Sequence, residues 1–329
     1  MLPEKSERCN MKIENHFKEA LLWVGLMILF GLVPVVMTSS YQMNLASHIL
    51  IWILFATAFN MLWGVTGMLS FGQALYYGLG AYFVGLMVKY LGSAWFFPGM
   101  LAGIVVSAIV ALLLGLLLVR VGGVFFTMLT LAFAQLAWQI TFKWYNFTGG
   151  DDGVVGIIQP GIFSNPIVYY YLIVLMVIPS IWILKRIAYS PFGTMLRCVN
   201  QNPDRVRFLG RRVRRNQLRI YVISSVFIAL AGGLMAGVDN SIHTDMFVWT
   251  TSGEVILMTV LGGINQFFGP FVGAIALILI EDIVGAYTEY WSLIIGTIVL
   301  VMVLLFPKGL VGEFLQLKHR FLKLKKYGA

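Results

Sequence analysis

Between Lys185 and Arg219, thirty-five residues carry ten arginine or lysine side chains and one acid, Asp204. The bases are Lys185, Arg186, Arg197, Arg205, Arg207, Arg211, Arg212, Arg214, Arg215 and Arg219, with long apolar runs on both sides. A basic loop this short stays on the cytoplasmic side of a membrane, so it orients the whole chain. It also encodes two small helices. Ser190 can cap the first, with Pro191 at its first position, where a missing N–H costs nothing. For the second, Asn202 can cap, Pro203 can open, Asp204 suits the positive end of the helix dipole, and Gly210 supplies a left-handed stop. A helix of about two turns is marginal in water and holds its shape best when docked. The residues alone leave two readings: a topological anchor folded over its own membrane domain, or a docking element.

Two further segments place uncharged polar side chains among apolar ones. Residues 64–80, GVTGMLSFGQALYYGLG, combine five glycines with Thr66, Ser70, Gln73, Tyr76 and Tyr77. Glycines in membrane helices usually serve packing, but a polar side chain at membrane depth wants a partner or water. Residues 261–274, LGGINQFFGPFVGA, set Asn265, Gln266 and a Gly269-Pro270 break between apolar runs. Broken helices of this kind line solute paths in transporters, and they also make simple tight turns. Thr148, Gly149, Gly150, Asp151 and Asp152 belong to a turn-rich TGGDDG stretch expected at an external mouth. It lacks the ligand spacing of a calcium loop, and His16, His48, His243 and His319 lack metal-ligand spacing. There is no phosphate loop, no G-x-S-x-G elbow and no H-E-x-x-H pair. The expectation is a chain that is not an enzyme, hydrolyses no ATP itself and takes no cofactor or metal.

The elements that must position these residues are membrane helices. The chain has 329 residues, 59% of them hydrophobic and 11% charged, with a mean hydropathy of +0.86. No Asp, Glu, Lys or Arg occurs between Glu19 and Lys89, between Arg120 and Lys143, between Asp152 and Lys185, or between Glu254 and Glu281. About twenty apolar residues cross a bilayer. Spans are expected near 20–37, 45–63, 68–88, 97–118, 123–142, 167–184, 220–238, 254–265, 267–288 and 290–306. The segment 254–265 is short enough to be re-entrant, and an eight-span count also keeps both termini on one side. This divides the chain into a cytoplasmic tail at 1–19, a transmembrane domain at 20–307 holding the loop 185–219, and a basic cytoplasmic tail at 308–329. A net charge of +9 is explained by membrane orientation rather than nucleic acid. Cys9 and Cys198 both fall in segments read as cytoplasmic, so no disulfide is expected.

Several stretches then resemble one family, the permease subunits of bacterial ATP-binding-cassette importers for branched-chain amino acids, and in particular the M component of the permease pair. They are NMLWGVTGMLSFGQALYYGLGAY at 60–82, FFTMLTLAFAQL at 125–136, TGGDDGVVGI at 148–157 and SPFGTMLRCVNQNPDRVRFLGRRV at 190–213. LRIYVISSVFIALAGGLMA at 218–236, LMTVLGGINQFFGPFVGA at 257–274 and FPKGLVG at 306–312 continue the series in family order. Two departures stand out: Asn200-Gln201 where the family often has Arg-Glu, and Arg205-Val206 where it has small residues.

The resemblance implies an all-α polytopic fold of about ten helices like the vitamin B12 permease. The chain would work in the bacterial inner membrane with a second permease, two cytoplasmic ATPases and an external binding protein. It also assigns the helix near Pro203–Leu209 to ATPase coupling through Asn202, Pro203, Asp204, Arg205, Arg207, Gly210 and Arg211. Urea and short-amide importers share this architecture and are the alternative within transport. The alternative of another class is a secondary carrier or channel acting alone; a proton-driven carrier needs buried ionisable relays that the expected spans hardly offer.

Overall fold

The computed structural model describes residues 25, 27, 30–32, 34, 39–287, 290–306 and 309–314. Outside these lie the tail expected at 1–19 with Cys9 and His16, most of the first expected span, Glu289, Lys308, and residues 315–329 with His319 and the tail lysines.

Helix α1 (Ser40–Thr66) is followed by α2 (Gln73–Leu91), α3 (Phe96–Leu118) and α4 (Val124–Lys143). A one-turn α5 (Tyr145–Thr148) leads to strand β1 (Val154–Val155) and then α6 (Pro166–Ala188). The basic loop folds as α7 (Pro191–Gln201) and α8 (Pro203–Phe208) ahead of α9 (Val213–Val238). Strand β2 (Ser241–Ile242), α10 (Trp249–Gly262), α11 (Gly269–Tyr287) and α12 (Trp291–Leu305) complete the described chain. Among the described residues, seven helices are long and apolar enough to cross a membrane: α1, α2, α3, α4, α6, α9 and α11. Helix α10 has 14 residues. At 1.5 Å per residue that is about 21 Å, short of a hydrocarbon core of about 30 Å.

The centre of the bundle is α1, α2 and α9, and glycine lets them approach. A Cβ added at Gly80 would strike the Ala229 backbone, and one at Gly232 would strike the Tyr77 backbone, so α2 and α9 cross with main chains touching. Ser224 Oγ on α9 donates to the Ala58 carbonyl on α1 at 2.7 Å. Helices α3 and α4 instead turn Leu101, Leu113, Phe125 and Met128 outward, each more than 60% exposed. A soluble surface does not carry such a band; lipid covers it.

One expected span is corrected. The run 68–88 is not one helix, because residues 68–72 are unwound and α2 begins only at Gln73. Gly67 ends α1 at φ +75 with its N–H on the Trp63 carbonyl, and Ser70 Oγ accepts from the Gly72 N–H at 3.3 Å. A hydroxyl bonded to its own neighbouring backbone competes with the helix, and glycine weakens it further.

Candidate functional site

The two helices of the basic loop form as their capping residues dictate. Ser190 Oγ accepts from the Gly193 N–H at 3.2 Å, and Asn202 Oδ1 accepts from the Arg205 N–H at 3.0 Å. Helix α8 stops at Gly210, φ +75, where the Arg211 N–H reaches the Val206 carbonyl and the Gly210 N–H reaches that of Arg207. This pair of bonds is the Schellman arrangement, which needs a left-handed residue at the position Gly210 holds. Asp204 sits in the first turn and pairs with Arg207 at 2.9 Å in the open.

What holds so short a helix is a satellite core. Val199 of α7, Val206 of α8 and Val213 of α9 are 3%, 5% and 3% exposed and pack on one another. The opposite side of α8 is bare. Phe208 is 91% exposed and Leu209 79%, beside the exposed Pro203, Asp204, Arg205, Gly210 and Arg211. Two large apolar side chains held at the tip of a capped helix make a knob. Sequence reasoning did not single them out, because six residues are too few for a periodicity to separate Val206 from Phe208.

Asn200 is exposed overall, yet its side chain reaches the stretch after α1. Its side-chain oxygen lies against the Cα of Gly67, and it lines a cavity of about 490 Å³ with Thr66, Arg120, Gly123, Arg207 and Arg214. The basic loop is thereby seated on the unwound stretch after α1.

The remaining polar residues lie in three places. Thr66 donates to the Met61 carbonyl at 3.1 Å and borders that cavity. Ser70, Gln73, Tyr76 and Tyr77 are buried in the packed interior. There Tyr76 donates to the Tyr221 hydroxyl at 3.0 Å, Gln73 Nε2 donates to Ser70 Oγ at 3.3 Å, and Tyr77 stacks on Phe55. The Ala74 N–H donates to Ser252 Oγ of α10 at 2.9 Å, so the start of α2 meets the first turn of α10. Asn265 and Gln266 lie in the turn between α10 and α11, where Asn60 Nδ2 donates to the Gln266 carbonyl at 3.3 Å. Two buried acceptors, Asn60 Oδ1 and Gln73 Oε1, have no partner among the described residues.

The bundle's other end is tied together by β1 and β2, paired antiparallel with Val154 opposite Ile242 and Val155 opposite Ser241. Thr148 Oγ1 donates to the Thr141 carbonyl at 2.6 Å and accepts from the Gly150 N–H at 3.3 Å, while Gly149 and Gly150 have positive φ. Asp151 and Asp152 stand exposed. Asp152 accepts the Tyr145 hydroxyl at 2.8 Å, which holds that proton and raises Tyr145 above the ordinary tyrosine range.

At this end the chain also builds a cavity of about 510 Å³ lined by Tyr41, Asn44, His48, Trp52, Glu254, Glu281 and Asp282. His48 Nε2 meets Asp239 Oδ1 at 2.9 Å, and Tyr41 donates to Asp282. Sequence reading missed this grouping. Glu254 was assigned to a span edge and His48 lacked ligand spacing, whereas α1, α9, α10 and α11 bring them together from more than 190 residues apart. Among the described residues no group of three or more His, Cys, Asp or Glu could hold a metal. Cys198 is free and exposed.

A bundle of outward-apolar helices with a docked basic loop at one end and an acid-lined cavity at the other is a multi-pass membrane protein of the transport kind. The chain belongs to the family described as branched-chain amino acid transport system / permease component, whose model matches residues 41–304. It is 26% identical to the high-affinity branched-chain amino acid transport system permease protein LivM of Escherichia coli K12, over 89% of this chain and 75% of that protein. It is 23% identical to the probable branched-chain amino acid transport permease protein LivM of Methanocaldococcus jannaschii, over 83% and 94%. With the Escherichia coli K12 permease protein LivH it shares 23% identity over 79% of this chain and 91% of that one. No solved structure matches.

Proposed function

We propose that this chain is the M-type permease half of an ATP-binding-cassette importer for branched-chain or related amino acids. It works in the bacterial inner membrane beside a second, LivH-like permease, with both termini and the arginine-rich end in the cytoplasm. Two ATPases dock at that end, and an external binding protein delivers the amino acid to the end closed by β1 and β2. The arrangement in the membrane is the ten-span, vitamin-B12-permease-like one.

The observation that carries this reading is α8. Its Val206 side is pinned to the scaffold while Phe208 and Leu209 project bare beside Asp204 and Arg205. A partner with an apolar cleft gains from burying two such side chains, since buried aromatic anchors dominate interface energies. Because Asn200 seats the loop against Gly67, a push on α8 reaches the unwound stretch between α1 and α2 through rigid contacts. That stretch adjoins Ser70, Gln73, Tyr76 and Tyr77, the proposed lining of the path with Thr66, Asn265 and Gln266. The unpartnered acceptors Asn60 Oδ1 and Gln73 Oε1 suit a donor such as water or the ammonium of a zwitterion. Thr148, Gly149, Gly150, Asp151 and Asp152 form part of the mouth.

Reconstitution of the chain with its permease partner, ATPases and loaded binding protein in proteoliposomes tests the whole reading. Accumulation of leucine, isoleucine or valine should require ATP and every subunit. Uptake by this chain alone, driven by an imposed proton gradient, would overturn it.

A further inference from the structure

On α9, the side chains of Arg215, Leu218, Arg219, Val222 and Ile223 follow the spacing of a single helix face. Together with Leu112 of α3 and Phe192 of α7 they line an open groove of about 660 Å³. Both arginines are exposed, and among the described residues no acid pairs with either. Two like charges one turn apart repel, so this face is better off with an anion over it. The rest of the groove is hydrocarbon, and its wall continues along α3 into Leu113, Leu116 and Leu117, which are 63%, 49% and 50% exposed.

An anion alone would not use the apolar wall, and an acyl chain alone would not use the arginines. We infer that the groove seats one anionic phospholipid of the leaflet at the arginine-rich end, its phosphate between Arg215 and Arg219 and an acyl chain along Leu112, Leu218 and Val222. Basic sites between helices near a membrane surface select anionic headgroups in this way. Phe192 forms one wall and belongs to α7, so the bound lipid braces the basic loop against α3 and α9. The inference needs only the membrane placement of the chain and stands apart from its substrate and its ATPases.

Native mass spectrometry of the full-length chain, purified in detergent and given equal phosphatidylglycerol or phosphatidylcholine, tests it. The wild type should retain phosphatidylglycerol in preference to phosphatidylcholine. The double variant Arg215→Gln/Arg219→Gln should weaken that retention about tenfold or more, since each base near the surface contributes appreciably to anionic lipid binding. Arg186→Gln/Arg214→Gln removes as much charge from the same end but not from the groove, and should retain the lipid. Leu112→Trp, which crowds the groove and leaves both arginines, should displace it. Equal retention of the two lipids, equal loss in the two double variants, or full retention by Leu112→Trp would each overturn the inference.

Discussion

Asn200 rests its side-chain oxygen on the Cα of Gly67, where any side chain would overlap it. Gly67 is also left-handed, so two independent restraints fall on one residue. This contact joins the basic loop to the point where α1 stops and the backbone unwinds.

Gly67→Ala should therefore destabilise the chain twice over, about 1–2 kcal/mol from the left-handed backbone plus the overlap. Adding Asn200→Ala removes only the overlap. Thermal unfolding in detergent should place the double variant between the wild type and Gly67→Ala. If the double variant melts with the single one, the loop does not bear on Gly67.

Phe208→Asp and Leu209→Asp should leave melting unchanged, because both side chains lie in the open. Their effect should fall on a partner, with binding of the ATPases reduced about tenfold or more, as expected for loss of an apolar anchor. Val206→Asp is the contrast. It puts a charge among Val199 and Val213 and should disorder the loop itself, read as faster proteolysis after the loop arginines. Wild-type ATPase binding by Phe208→Asp would remove α8 from the interface.

Gly210→Val should uncouple ATP hydrolysis from uptake while the protein remains in the membrane, since a β-branched residue resists the left-handed stop. Asn202→Ala removes one capping bond and should act in the same direction by about 1 kcal/mol of helix stability. Import at the wild-type rate in both variants would make the loop a topological anchor only.

The caps of α7 and α8 were legible because Ser190, Asn202 and Gly210 act on backbone groups within three residues of themselves. The spans that fold as α1, α3, α4, α6, α9 and α11 were legible because charge avoids hydrocarbon. The unwound stretch 68–72 was hidden, since its Met68, Leu69 and Phe71 keep the run apolar while Gly67 and Ser70 change only its backbone. Val199, Val206 and Val213 looked like unremarkable members of a basic loop until the turns between α7, α8 and α9 brought them together. His48 and Asp239 had no local signal at all, because the packing of α1 against α9 creates their contact. Sequence spacing reports contacts made along one element; those made between elements had to wait for the fold.

Orientation is tested by thiol labelling in sealed cells, in a Cys9→Ser background. Asp245→Cys places a thiol at an exposed position of the end closed by β1 and β2, while the native Cys198 is exposed at the arginine-rich end. An impermeant reagent added outside should modify the first and spare the second. Modification of Cys198 in intact cells would invert the assigned topology.

The acid-lined cavity bears on the energy source. Glu254, Glu281 and Asp282 share it with His48, and His48 is tied to Asp239. Together these are the groups a proton-driven carrier would require, since a relay needs ionisable side chains at membrane depth. They nevertheless line one cavity, and the buried polar residues beside the unwound stretch are Ser70, Gln73, Tyr76 and Tyr77, which are neutral. A chain of protons would have nowhere to go. The triple variant Glu254→Gln/Glu281→Gln/Asp282→Asn should therefore keep accumulation driven by ATP and unresponsive to an imposed proton gradient in the reconstituted importer, whatever it does to the rate. If wild-type uptake instead follows the proton gradient and the triple variant loses that response, the cavity is a relay and the chain a carrier in its own right.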